Sequence, residues 1–93
     1  MKRWLIALCA GWALSAFAAT EVNTAGEAEL DSIKGLGPAG TALILQARTQ
    51  GPFTSWKDLM VRVKGIKAAK AQQLSDNGLT VNGKTLRNER AAP

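Results

Sequence analysis

Two short glycine-containing turns hold the residues of this sequence whose types and spacing could bind an anion. The first turn, residues 33–37, has the pattern apolar–x–Gly–apolar–Gly and contains Lys34, Gly35, Leu36 and Gly37. Glycine lets a ligand come close to the backbone because no side chain stands in the way. A helix is predicted to begin directly after the turn, with its first amides at the positive end of the helix dipole. The pattern therefore predicts an anion site that fits a phosphate group.

The second turn, residues 63–67, repeats the first at an offset of 30 and contains Lys64, Gly65 and Ile66. In both turns the leucine or isoleucine is expected to point inward and hold the backbone. Amides and lysines that bind phosphates recognise charge and spacing, not base sequence. The alternative is that each turn only connects two helices, because glycine also commonly ends a helix. The candidate DNA-binding residues are Lys34, Gly35, Leu36, Gly37, Lys64, Gly65, Ile66, Lys67 and Lys70.

The two turns lie inside a tandem repeat. Residues 24–44 align with residues 54–74 without a gap. A capping box is predicted at Thr24–Glu27 in the first copy. In the second copy Thr54 or Ser55 is predicted to cap a helix, and the Ser55–Asp58 pattern again resembles a capping box. Each copy is predicted to be a helix–turn–helix unit that cannot bury its apolar face alone, so we expect the two copies to pack together. The predicted fold class is all-α, with about four to five short helices.

The first residues have the composition of a secretory signal peptide. A charged start at residues 1–3 precedes an apolar stretch at residues 4–14 and the small-x-small sequence Ala16-Phe17-Ala18. This pattern predicts cleavage after Ala18 and a location in the periplasm or outside the cell. The alternative is an uncleaved anchor that tethers the same domain to the membrane. The predicted organisation is a signal peptide at residues 1–18, a helical repeat domain at residues 19–81 and a basic, disordered tail at residues 82–93.

The composition excludes several classes of active site. The 93 residues include no histidine and a single cysteine, so zinc sites built from these residues, serine–histidine–aspartate triads and cysteine–histidine pairs cannot form. The seven acidic residues form no pair at a spacing typical of metal ligands, and a nuclease would need clustered carboxylates or a histidine base. We therefore expect no enzyme activity, no metal or other cofactor and no small-molecule substrate.

Positive charge is concentrated in the second half of the chain. The formal net charge of the whole chain is +5. Residues 57–90 hold eight basic and three acidic residues, whereas residues 19–56 hold two basic and four acidic residues. This asymmetry places a basic patch on the second turn, the last repeat helix and the tail, and it indicates an anionic partner such as nucleic acid. An ordinary solvated face is the alternative interpretation of the same lysines.

The segment Val22–Leu74 resembles the tandem helix-hairpin-helix domain of the ComEA family, the extracytoplasmic DNA receptors of natural competence. The resemblance implies a small tandem helix-hairpin-helix fold and sequence-independent binding of double-stranded DNA through the hairpin amides. It also implies retention of incoming DNA in the periplasm, with the DNA-uptake machinery as a further partner. The matching residues are Val22-Asn23-Thr24-Ala25, Leu30, Gly35-Leu36-Gly37-Pro38, Gly51-Pro52-Phe53, Asp58-Leu59 and Val63-Lys64-Gly65-Ile66.

Two positions depart from the pattern of that family. Lys67 stands where the family usually repeats glycine, and we expect the second turn to differ in geometry because a positive φ is unfavourable for lysine. Gly40 stands where the family often has lysine, whereas Lys70 holds the equivalent place in the second copy. The first hairpin therefore has the expected backbone and little charge, and the second has the charge without the second glycine.

A second hypothesis is that the chain is a protein–protein interaction module, because the same fold also occurs in structural subunits. That interpretation predicts an exposed apolar patch and no salt-sensitive DNA binding. The basic second half favours DNA binding. Phe53 and Trp56 are predicted to anchor the core, since a residue that stacks on nucleic acid needs an exposed ring.

Overall fold

The computed structural model describes residues 19–91. The elements are β1 (Thr20–Glu21), α1 (Glu27–Asp31), α2 (Gly37–Arg48), α3 (Trp56–Arg62), α4 (Ala68–Asp76), β2 (Leu79–Thr80) and α5 (Leu86–Ala91). Five short helices over this range confirm the predicted all-α fold class, to which the structure adds two strands of two residues each. The predicted signal peptide lies outside the described residues. None of the described helices is long and apolar enough to cross a membrane.

The two repeats share one hydrophobic core. Ile44 of α2 and Leu74 of α4 stand 30 residues apart in the sequence, and both are fully buried. Phe53 and Trp56 are the largest fully buried side chains. Both aromatic residues therefore anchor the core, as predicted, and neither ring is available to stack on a base.

The two helices that precede the turns begin differently. At α3 the Ser55 hydroxyl accepts a hydrogen bond from the Asp58 amide at 2.9 Å, which confirms the predicted cap. At α1 the capping box predicted at Thr24–Glu27 is wrong. The helix begins two residues later, and the Glu29 carboxylate accepts from the Gly26 amide at 2.8 Å. The reason is that the Ala25 amide is already bonded to the Glu21 carbonyl in a turn that follows β1.

Arg62 fixes the connection between the two repeats. Its guanidinium donates to the carbonyls of Ala47, Gly51 and Pro52 at 2.7, 2.8 and 3.1 Å. It also lies 4.4 Å from the centre of the Phe53 ring, within the range of a cation–π contact. Arg62 is therefore a structural residue of the inter-repeat loop, although its charge contributes to the basic second half of the sequence.

Asp58 completes the inter-repeat contacts of Arg62. Its carboxylate accepts from the guanidinium at 3.1 Å and from the Thr54 amide at 3.0 Å. The hydrogen bond from Thr54, followed by the hydrogen bond and charge of Arg62, lowers the pKa of Asp58 despite partial burial. The carboxylate therefore stays ionised at neutral pH and holds Arg62 in place.

The parallel pairing of β1 with β2 joins the two ends of the domain, and Glu21 lies at this junction. Its carboxylate accepts from the amides of Asn82 and Gly83 at 2.9 and 2.8 Å and from the Thr80 hydroxyl at 3.0 Å. Partial burial tends to raise the pKa of Glu21. The hydrogen bonds from Asn82, Gly83, Asn23 and Thr80 outweigh that effect, and the pKa is lowered overall.

The lowered pKa makes Glu21 a source of pH-dependent stability. The carboxylate stabilises the fold fully above its unfolded-state pKa and loses this effect as the pH falls through the lower folded-state pKa. We expect Glu21→Gln to reduce the free energy of unfolding at pH 7, with a difference from the parent that shrinks below about pH 4.3. Urea unfolding of the variant and the parent at a series of pH values measures this difference in the free energy of unfolding. Glu27→Gln, at an exposed position of α1, is the control, and a Glu21→Gln deficit that persists unchanged at about pH 2 contradicts the prediction.

The structure corrects the prediction of a disordered tail at residues 82–93 for residues 82–91, and the last two residues lie outside the described range. The chain turns sharply at Asn82 and Gly83, which have φ values of +54° and +79°, and Val81 bridges to Lys84. Helix α5 follows, and its first residue, Leu86, is buried in the core. The polar composition of this segment suggested disorder because its single large apolar residue gives no visible periodicity.

Side chains of α5 and α3 hold the C-terminal segment on the domain. The Glu89 carboxylate accepts from the amides of Trp56 and Lys57 at 2.6 and 3.1 Å and so satisfies the first two amides of α3. The Trp56 indole donates to the Lys84 carbonyl at 2.9 Å. The domain therefore extends past the predicted boundary at residue 81 to include α5.

Candidate nucleic-acid interface

The two turns, called here the first hairpin (residues 33–37) and the second hairpin (residues 63–67), share a backbone arrangement. The Leu36 amide donates to the Ile33 carbonyl at 3.1 Å, and the equivalent Ile66 amide donates to the Val63 carbonyl at 3.2 Å. Leu36 and Ile66 are both buried. The central apolar residue of each hairpin therefore points inward and holds the turn against the core.

Each hairpin contains a glycine in the conformation that other residues rarely adopt. Gly35 has a φ of +100° and Gly65, at the equivalent position, has a φ of +95°. A side chain at either position would be strained by this positive φ. The backbone geometry of the two turns therefore requires glycine at both positions.

The helices that follow the hairpins begin without a side-chain cap. The N-cap residues of α2 and α4 are Leu36 and Lys67, and neither offers a side chain to the first-turn amides. Within residues 19–91, the amides of Gly35, Gly65 and Lys67 donate to no protein acceptor. By contrast, α3 begins with amides bonded to Ser55 and to the acidic residue of α5. Helix α1 also begins without a side-chain cap, but its first turn holds Glu27 and Glu29, which disfavour an anion there. Among these helix starts, those at the two hairpins combine open donors with exposed lysines, so an external anion can accept from them.

The four predicted lysines differ in exposure and in hydrogen bonding. Lys34, Lys64 and Lys67 are exposed. Lys70 is half-buried, and its ammonium group donates to the Gly35 carbonyl at 2.8 Å. Three of the four predicted lysines are therefore available to a ligand at the surface, and the fourth is bonded to the first hairpin.

The fold brings residues of both hairpins to the lining of one cleft of about 210 Å³, called here the hairpin cleft. Six of the nine candidate DNA-binding residues line it, together with three residues of α2: Ala39, Gly40 and Leu43. The three candidates outside the lining are Lys34, Gly37 and Lys67. The candidates in the lining are Gly35, Leu36, Lys64, Gly65, Ile66 and Lys70.

A comparison with protein families identifies this arrangement. The family model described as the helix-hairpin-helix motif matches residues 16–77, which is more than half of the chain. The chain belongs to the helix-hairpin-helix family. Members of this family commonly bind nucleic acid. No curated protein and no solved structure matches the chain significantly.

The two helix-hairpin-helix units differ at the position predicted from the family pattern. Gly37 of the first hairpin has a φ of +74°, whereas Lys67 of the second has a φ of −109° and extended backbone. The second hairpin thus avoids the positive φ that would be unfavourable for lysine. It keeps Lys67 exposed at the start of α4, beside the open amides.

Two polar residues next to the first helix-hairpin-helix turn were not predicted from the sequence. The Asn77 side chain donates to the Lys34 carbonyl at 2.8 Å. The Gln73 amide group lies so close to Gly35 that a Cβ built there would be 2.6 Å from its nitrogen. Their spacing from Lys70, at three and seven residues, indicates a common face of α4. The sequence does not show that this face contacts the first hairpin. The residues that form the two hydrogen bonds are separated by 35 and 43 positions in the chain.

A larger cavity lies between α2 and α3, outside the helix-hairpin-helix turns. It measures about 380 Å³ and is lined by Leu43, Gln46, Ala47, Gln50 and Arg62. The guanidinium of Arg62 is engaged by the carbonyls of the inter-repeat loop, so this cavity offers no free cation for an anion. The described part of the chain also has no group of three or more potential metal ligands. The hairpins therefore remain the candidate site.

Proposed function

We propose that this protein binds double-stranded DNA without sequence preference, through the two hairpins. The observation that carries the proposal is the coincidence, at both hairpins, of open helix-start amides and exposed lysines. Membership of the helix-hairpin-helix family supports it, because such motifs commonly bind nucleic acid.

The binding mechanism follows from the chemistry of these groups. Amides at a helix N-terminus donate to phosphate oxygens and present the positive end of the helix dipole. Lys34, Lys64 and Lys67 add positive charge next to these donors. None of these groups distinguishes one base from another, so the protein recognises only the phosphate backbone. Because both hairpins line one cleft, their donors and lysines can contact phosphates of the same duplex.

We further propose that the protein acts outside the cytoplasm as a DNA receptor of the competence type. The support is the signal-peptide pattern of residues 1–18 and the resemblance of Val22–Leu74 to the ComEA family. A receptor that retains incoming DNA must accept any sequence, which agrees with recognition through the backbone. The DNA-uptake machinery is the further partner that this role requires.

The experiment is a fluorescence-anisotropy titration of the purified protein with a random-sequence duplex at several salt concentrations. If about four phosphates are neutralised, a plot of log K against log salt should have a slope of about −3.6. We expect Lys34→Ala/Lys64→Ala to weaken binding and to make the slope less steep by about 2. The reason is that each lysine in contact with a phosphate releases about one counterion.

Lys57→Ala/Lys84→Ala is the matched control, because it removes two exposed lysines that lie outside the hairpins. It should leave the salt slope nearly unchanged. Equal losses in the two double variants would indicate attraction by net charge alone and no hairpin site. No binding at low salt would instead favour the interaction-module hypothesis, with the hairpins as scaffold.

A further inference from the structure

Side chains from one face of α4 and from its C-cap residue contact the backbone of the first hairpin. The Lys70 ammonium group donates to the Gly35 carbonyl and the Asn77 side chain donates to the Lys34 carbonyl, both at 2.8 Å. The Gln73 side chain lies between them in sequence and contacts Gly35. Helix α4 is itself fixed, because Ala71 and Leu74 on another face are fully buried. Two successive carbonyls of the first hairpin are therefore tied to a rigid element of the other repeat.

These contacts determine where the hairpin amide points. In a trans peptide the carbonyl of one residue and the amide of the next point in opposite directions. Because Asn77 holds the Lys34 carbonyl towards α4, the Gly35 amide is directed away from α4. That amide has no protein acceptor within residues 19–91. The contacts on the carbonyl side thus keep an open donor in a fixed direction.

Among residues 19–91, no side chain donates to a carbonyl of the second hairpin in this way. The positions 30 residues before Lys70, Gln73 and Asn77 are Gly40, Leu43 and Ala47, whose side chains cannot form hydrogen bonds. Gly40 and Leu43 instead line the hairpin cleft. The tandem repeat is therefore asymmetric, because the second unit supports the first hairpin and the first unit leaves the second hairpin unsupported.

We propose that Lys70 is a positioning residue and not a phosphate ligand. Together with Asn77 it forms a carbonyl brace, defined as these two side chains and their hydrogen bonds to the first hairpin. The brace orients the amides of the first hairpin before DNA arrives, so that less ordering is needed on binding. This inference rests on the proposed DNA-binding function and gives Lys70 a different role from the one that the sequence suggested.

The test compares Lys70→Met, which keeps the length of the side chain without its charge, with Asn77→Ala and Lys64→Ala. The anisotropy titration is repeated for each over several salt concentrations. Loss of a hydrogen bond from the brace should weaken DNA binding about tenfold for Lys70→Met, with no change in salt slope. Asn77→Ala should behave in the same way, although it removes no charge. Lys64→Ala should make the slope less steep by about 1.

A slope that becomes less steep by about 1 for Lys70→Met would overturn the proposal, because it would show a direct phosphate contact. Lys70→Arg, which can still donate to the Gly35 carbonyl, should restore the affinity; if it does not, the brace is also contradicted.

A readout without DNA separates this inference from the proposed function. Amide hydrogen exchange of Leu36, whose amide is bonded to the Ile33 carbonyl, should be faster in Lys70→Met and Asn77→Ala than in the parent, while that of the equivalent Ile66 stays unchanged. If the parent binds no DNA but this change is seen, the brace exists and the proposed function is wrong. Unchanged exchange in both variants overturns the brace whatever the outcome of the DNA titration.

Discussion

Removal of residues 86–93 is expected to destabilise the whole domain. The truncation deletes the buried Leu86, and burial of one leucine is worth about 2–5 kcal/mol. It also removes the Glu89 carboxylate from the amides of Trp56 and Lys57. The Ser75 hydroxyl loses its hydrogen bond from the Leu86 amide. A domain of this size has only about 5–10 kcal/mol of stability, so we expect most of it to be lost. Urea unfolding, monitored by far-ultraviolet circular dichroism, measures this loss of stability.

Single substitutions in the full chain separate the contributions to this loss. Leu86→Ala should account for about 2–5 kcal/mol of it. Arg87→Ala, at an exposed position of the same helix, is the matched control and should change the free energy of unfolding by less than about 0.5 kcal/mol. A truncated chain as stable as the parent would show that residues 86–93 are the disordered tail that the composition suggested.

Substitution of the hairpin glycines should have the second large effect. Gly35→Ala and Gly65→Ala both place a side chain at a φ near +100°, which costs about 1–3 kcal/mol. At Gly35 the new Cβ would also lie 2.6 Å from the Gln73 side chain, whereas at Gly65 no atom lies within 4 Å. The Gln73 amide is the far end of a flexible, exposed side chain and can move aside, so we expect Gly35→Ala and Gly65→Ala to lower the free energy of unfolding by similar amounts. Thermal and urea unfolding of the two variants measure the two losses.

The double variant Gly35→Ala/Gln73→Ala distinguishes the two causes. It removes the contact and leaves the backbone strain, so its stability should match that of Gly35→Ala, whereas a clear gain in stability would show that the Gln73 contact adds to the strain. Gly26→Ala is the control, because Gly26 has an ordinary φ of −80° and the nearest atom to a Cβ there is 3.8 Å away. If Gly26→Ala were as damaging as Gly35→Ala, neither strain nor the Gln73 contact would explain the result.

Much of the fold follows from local chemistry that the sequence shows directly. The alignment of residues 24–44 with 54–74 predicted the paired helices, and Ile44 and Leu74 are equivalent in both the repeat and the core. The Ser55 cap of α3 was predicted because a cap involves only residues three positions apart. The same local reasoning placed the cap of α1 two residues too early, since the Ala25 amide bonds back to the Glu21 carbonyl in a turn after β1.

The site shows the same division between local and distant contacts. The two hairpins, their glycines and their lysines were located from the sequence, because a turn that starts a helix is encoded in a few adjacent residues. The difference at Lys67 was also predicted, since the penalty for a positive φ belongs to one residue. The brace was not, because Lys70 and Asn77 reach carbonyls 35 and 43 residues earlier.

The sequence by itself determined the all-α class, the repeat, the positions of both hairpins and the uneven charge, because each depends on residue type and short-range spacing. Only the tertiary structure decided that residues 82–91 belong to the domain and that Arg62 serves the inter-repeat loop. It alone showed that Lys70 bonds to the first hairpin. These outcomes depend on which distant backbone groups a side chain meets. That choice is made by the packing of the core, and it leaves no periodic signal in the sequence.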